Sequence, residues 1–128
     1  MGRVLIIDSN KEFAERLANH INSEYPVLTA EICGEPDKAY KLIKDGKNDL
    51  LILDMEIGEG EGAKIYHFAM EEGIDKSRIV IISDKEPDTI RQFFPTGTCL
   101  AVLNKREPKQ KEALDMVLTS IQRKAKLS

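Results

Sequence analysis

Short, continuous apolar runs alternate along the chain with stretches in which apolar residues recur at three- and four-residue spacing. The first pattern predicts strands buried on both faces and the second predicts amphipathic helices. Residues 3–8 form a β-rich run closed by Asp8. Asn10 is then placed to cap a helix carrying Phe13, Ala14, Leu17, Ala18 and Ile21. Residues 26–33 alternate apolar and polar positions, as in a less buried strand at a sheet edge. Pro36 suits the first turn of a short helix through Ile43, which Gly46 stops, and residues 50–54 form a third strand ending in Asp54. The Gly-rich stretch 58–62 predicts a loop, followed by a helix bearing Ile65, Phe68 and Ala69 that stops at Gly73. Residues 79–82 predict the fourth strand, and Pro87 opens a short fourth helix ended by Pro95 and Gly97. A fifth strand is expected over 100–103, and Pro108 opens a fifth helix with Ala113, Leu114, Val117 and Ile121 on one face.

Five such strand–helix units imply an α/β protein with a parallel sheet covered by helices on both faces. Right-handed crossovers leave few topologies for it. At 128 residues the chain is one domain in size, expected to span 1–128, and it shows no internal repeat or linker. Hydrophobic residues at 41% and charged residues at 32% exclude a disordered chain. The net charge of -3 offers no bulk attraction to nucleic acid or to an anionic membrane, and no apolar run approaches a membrane span. The chain starts Met-Gly-Arg and enters only a brief apolar run, unlike a secretory signal, so a cytoplasmic protein is expected. Cys33 and Cys99 are too few and too far apart in sequence for a disulfide framework or a zinc pattern, and are read as reduced thiols. His20 and His67 fall on helices without ligand-spaced neighbours and are read as ordinary helix residues.

In sheets of this kind, chemistry gathers at the carboxyl ends of the strands. Asp8 closes the first strand, Asp54 the third and Ser83 the fourth, while Lys105 follows the fifth. Each alone is weak, since an Asp after a strand is more often a helix cap and a loop Lys is usually solvated. Two acids, a hydroxyl and an ammonium in this order on one rim form a strong signal.

This arrangement, from about residue 3 to about residue 122, resembles the receiver domain of two-component response regulators. The resemblance implies a flavodoxin-like (βα)5 three-layer sandwich with its parallel five-stranded sheet in order 2-1-3-4-5. Cys33 and Cys99 would then lie near opposite edges, roughly 19 Å apart at about 4.8 Å per strand, too far for a disulfide. It further implies that Asp54 is a phosphoacceptor and that Ser83 and Lys105 bind the phosphoryl oxygens. Mg²⁺ would be held by Asp8, Asp54 and the backbone carbonyl of Glu56. Gly62 matches the glycine that closes the loop after the acceptor. The residue types suit that chemistry. A carboxylate attacks phosphorus to give an acyl phosphate, while a cation and an ammonium neutralise the transferring oxygens.

Several positions depart from the family pattern. Ser9 stands where a second acid is expected, which predicts weakened or lost metal ligation there, with Asn10 or the Glu56 side chain as partial substitutes. Asp84 follows Ser83 where a small residue is usual, and would either repel a phosphoryl donor or pair with Lys85 or Lys105. Arg106 replaces a proline whose bond to the lysine is typically cis, so a trans bond is expected. Gly58 likewise replaces a proline, predicting a looser loop. Val102 takes the place of a Tyr or Phe that turns inward on phosphorylation.

The resemblance implies a signalling module rather than an enzyme. It would receive phosphate from a sensor histidine kinase or phosphotransfer protein and address a downstream protein through the fourth helix, fifth strand and fifth helix, with a homodimer as a further expectation and no direct contact with nucleic acid or membrane. The alternative is a phosphorylation-independent pseudo-receiver that binds partners or dimerises. A dehalogenase-type phosphatase, superficially suggested by Asp54-Met55-Glu56, would carry a cap insertion that this sequence does not show, and a flavodoxin would need a less acidic loop after the first strand. Of Phe93 and Phe94, one is expected to pack inward and the other to face a partner.

Overall fold

The structure, a computed structural model, describes residues 2–127. Five strands, β1 (Gly2–Ile7), β2 (Leu28–Cys33), β3 (Leu50–Asp54), β4 (Ile79–Ser83) and β5 (Ala101–Asn104), form one parallel sheet in the order β2-β1-β3-β4-β5. The helices are α1 (Lys11–Glu24), α2 (Pro36–Asp45), α3 (Gly62–Glu71), α4 (Pro87–Arg91) and α5 (Pro108–Leu127). A helical turn, Ile57–Gly60, follows β3, and a 3-10 turn, Lys76–Arg78, precedes β4. The expected order 2-1-3-4-5 and three-layer packing are therefore present.

Strand alternation builds the layers, because successive side chains point to opposite faces. Leu5, Ile7, Leu51, Leu53, Ile79 and Ile81 pack against residues of α2, α3 and α4, including Ala39, Ile43, Ile65 and Ile90. Val4, Ile6, Leu50, Ile52, Val80 and Ile82 face the other way, onto Leu17 and Ile21 of α1 and Leu114, Leu118 and Ile121 of α5. Each such aliphatic side chain contributes about 1.5–3 kcal/mol by leaving water. The edge strand β2 is only partly buried, as its mixed pattern predicted.

Helix starts follow the expected chemistry. Asn10 Oδ1 accepts from the Phe13 N–H at 3.0 Å, and Pro36, Pro87 and Pro108 each sit in a first turn. Several boundaries differ from expectation: β1 runs Gly2–Ile7 rather than 3–8, and β4 extends to Ser83. β2 begins at Leu28, because Pro26 and Val27 lie in a turn in which the Leu28 N–H donates to Tyr25 O. β5 is shifted to Ala101–Asn104, since Leu100 donates its N–H to Ile79 O while its side chain turns outward. α5 runs on to Leu127 because no Gly or Pro interrupts it, and Lys124 and Lys126 in its last turn oppose the partial negative charge of that helix end. No helix of the described residues is long and apolar enough to cross a membrane.

Candidate functional site

The carboxyl ends of β1, β3 and β5 bring Asp8, Asp54 and Lys105 together. In the sheet register Asp8 and Asp54 come level just past the Ile7–Leu53 pair, while Lys105 follows the Ser83–Asn104 pair; the Asp8 N–H donates to Cys33 O at 3.0 Å and the Lys105 N–H to Ser83 O at 2.9 Å. Lys105 Nζ lies 2.6 Å from Asp8 Oδ2 and 3.5 Å from Asp54 Oδ2, with all three side chains buried. The same ammonium stands 4.8 Å from the centre of the Phe13 ring on α1. The remaining oxygens are held by the backbone just downstream: the Asn10 N–H donates to Asp8 Oδ1 at 2.8 Å and the Glu56 N–H to Asp54 Oδ1 at 3.1 Å. Burial, and then the neighbouring Asp8 carboxylate, push Asp54 from an ordinary carboxylate value up to about 7, against the opposing pull of Lys105 and the Glu56 N–H.

Ser83 is fully buried at the end of β4, and its hydroxyl faces the Glu56 side chain, 2.8 Å from Oε1 and 2.9 Å from Oε2. The Asp84 N–H donates to the same Oε1 at 3.2 Å, and the Lys85 N–H donates to Ser83 Oγ at 2.9 Å. In this arrangement the Glu56 carboxylate is engaged by Ser83, and the Asn10 side chain caps α1. Ser9 itself is exposed. Asp84 pairs with neither lysine considered for it. Its Oδ1 lies 3.3 Å from Arg106 Nε, because β4 and β5 end side by side and their following turns meet.

The sequence alone does not single out Asn104. It is buried at the end of β5, donates to Lys85 O at 2.8 Å and accepts the Arg106 N–H at 2.7 Å, joining the two turns that carry Ser83 and Lys105. Its signal in the sequence was only its place before Lys105. All peptide bonds among the described residues are trans, including Lys105–Arg106. Gly58 has φ +62°, which proline cannot adopt, and a Cβ there would meet Pro36 Cγ at 2.8 Å. Val102 is buried without a ring, and the neighbouring aromatic pair is Tyr66 with Phe94, edge to face at 5.0 Å. Phe94 packs inward and Phe93 is 62% exposed.

His20 lies away from this cluster. Its Nε2 is 2.7 Å from Asp115 Oδ1, an oxygen that also accepts from the Tyr25 hydroxyl at 2.9 Å, tying α1 to α5. It borders a cavity of about 280 Å³ between those helices that reaches Lys105. Cys33 and Cys99 are both free and buried.

Asp8 Oδ2 offers a test of whether a divalent cation suits this rim. It is buried and receives no aligned hydrogen bond, so its short approach to Lys105 is an ion pair only. Two carboxylates therefore turn oxygens toward one positive charge. No three His, Cys, Asp or Glu side chains converge as a metal site among the described residues. Mg²⁺ often takes only one or two carboxylates and keeps several waters, so Asp8 and Asp54 fit it, with less anionic charge than three acids would supply.

The sequence matches no protein-family model. Solved structures do resemble the chain. A response-regulator receiver domain protein from Methanospirillum hungatei matches with a TM-score of 0.80 at 14% identity, over 100% of this chain and 99% of its own. The signal receiver domain of a LuxO repressor protein from Vibrio parahaemolyticus gives 0.78 at 19% identity, over 98% and 93%. A response regulator from Burkholderia pseudomallei, solved with a phosphorylated aspartic acid, a calcium ion and citrate, gives 0.76 at 18% identity, over 99% and 74%. The chain has the receiver fold.

Proposed function

We propose that the chain is a cytoplasmic phosphorelay receiver in which Asp54 accepts a phosphoryl group from a sensor histidine kinase or phosphotransfer protein. The observation that carries this reading is the buried Asp54 carboxylate at the end of β3, sharing the Lys105 ammonium with Asp8. An Asp54 oxygen forms the bond to phosphorus as the phosphorus–nitrogen bond of a phosphohistidine breaks, its electron pair staying on the imidazole. Lys105 meets the charge gathering on the transferred oxygens, and the hydroxyl of Ser83 is the donor for one of them. Asp8, Asp54 and the Glu56 carbonyl are the groups that would hold Mg²⁺, which supplies further charge neutralisation when bound. The module does not turn over a substrate. It changes its affinity for a downstream protein, or for a second copy, through α4, β5 and α5; Phe93 just after α4, Leu100 just before β5 and Met116 on α5 are exposed.

Intact-mass measurement after treatment with acetyl phosphate tests the reading. A gain of one phosphoryl group that depends on Mg²⁺ and disappears in Asp54→Asn is expected. A folded protein that gains none at saturating Mg²⁺ would instead be a phosphorylation-independent interaction module, a reading favoured by the exposed serine at position 9.

A further inference from the structure

Ser83 and Asp84 present two adjacent donors at the end of β4, a hydroxyl and a backbone N–H, and both point at one carboxylate. A serine hydroxyl has a single proton, yet both Glu56 oxygens lie within hydrogen-bond distance of it, and one of them also takes the Asp84 N–H. Charge-assisted contacts of this kind are among the stronger hydrogen bonds. The anchor is short and stiff, because Glu56 is only two residues beyond Asp54 and its own N–H is fixed on Asp54 Oδ1.

We propose that Glu56 is an internal competitor of the phosphoryl group: its carboxylate occupies the Ser83 hydroxyl and the Asp84 N–H, and must leave both before a phosphoryl group on Asp54 can use them. This rests on the phosphoacceptor reading and adds the residue that governs it. Glu56 acts here as a positioning residue. It holds Ser83 in one orientation while Asp54 is unmodified, and its negative charge further opposes an anionic donor. When acetyl phosphate is the donor, an Asp54 oxygen bonds to phosphorus and acetate leaves with the electron pair of the broken phosphorus–oxygen bond.

The test compares initial rates of labelling by acetyl phosphate, read by intact mass, in wild type, Glu56→Ala, Glu56→Gln, Ser83→Ala and Glu56→Ala/Ser83→Ala. Glu56→Ala is expected to label at least tenfold faster than wild type. Glu56→Gln, which keeps an acceptor without the charge, should fall between them. In the Ser83→Ala background the gain from Glu56→Ala should shrink to a minor part, because the contested hydroxyl is gone. The amide proton resonance of Asp84 should move on Glu56→Ala before any donor is added. Equal rates in wild type and Glu56→Ala, or a full gain persisting without Ser83, would overturn the competitor while leaving the phosphoacceptor reading intact. No labelling of any folded variant would overturn both.

Discussion

On the proposed reading, position 9 would set how much negative charge surrounds a cation at the rim. Asp8 and Asp54 already share one buried ammonium, and Ser9 adds only a neutral hydroxyl beside them. Ser9→Asp is therefore expected to tighten Mg²⁺ binding about tenfold, on the order of 1.4 kcal/mol, in a calorimetric titration. The same change crowds a third carboxylate against the pair, so without metal the variant should melt below wild type and recover on adding Mg²⁺. Unchanged affinity would show that position 9 lies outside the cation's reach. At this scale Asp8, Asp54, Ser83 and Lys105 were legible because strand ends aim their side chains at one rim. The engagement of Glu56 with Ser83, and of Asp84 with Arg106, was not. Both depend on side-chain orientation across turns that converge only in three dimensions.

The elements were legible wherever packing and local chemistry agree, as in the apolar strands and the proline-started helices. The stretch from Gly58 to Gly62 was not, because its three glycines look alike in sequence but meet different constraints. Gly62 has an ordinary backbone, yet a Cβ on it would come within 2.4 Å of Met55 O and 2.6 Å of Met55 Cα. Gly60 has φ +82° and nothing within 4 Å of where its Cβ would lie. Gly62→Ala must push α3 away from the backbone that carries Asp54 and Glu56, and should cost about 3 kcal/mol in denaturant unfolding. Gly60→Ala meets only the left-handed backbone penalty, about 1 kcal/mol. Should the two substitutions cost the same, the close approach of α3 to Met55 would not be what requires glycine.

The whole molecule carries the energetic consequence of burying that site. An Asp in the unfolded chain titrates near 3.8, whereas the folded surroundings of Asp54 raise it to about 7, chiefly through burial and then through Asp8. The folded protein therefore binds a proton that the unfolded chain has released between those values. Stability from this group is complete below about pH 4 and is lost as pH rises through about 7. One pKa unit corresponds to about 1.4 kcal/mol, so the effect is on the order of a few kcal/mol. Asp54→Asn keeps the shape and the hydrogen-bond acceptor but has no charge to bury. It should be more stable than wild type at pH 8 and nearly equal to it at pH 4.5, measured by urea unfolding in the presence of a chelator. Parallel pH profiles would place the charged Asp54 in a far more solvated setting than 4% exposure allows. Mg²⁺ should reverse the wild-type slope, because it binds the ionised carboxylates and competes with the proton, and it should do little to the slope of Asp54→Asn. A rim whose charge is costly at neutral pH, and which a cation would relieve, suits the proposed acceptor, since the carboxylate must be charged to attack phosphorus and yet shielded from water to use Lys105 fully.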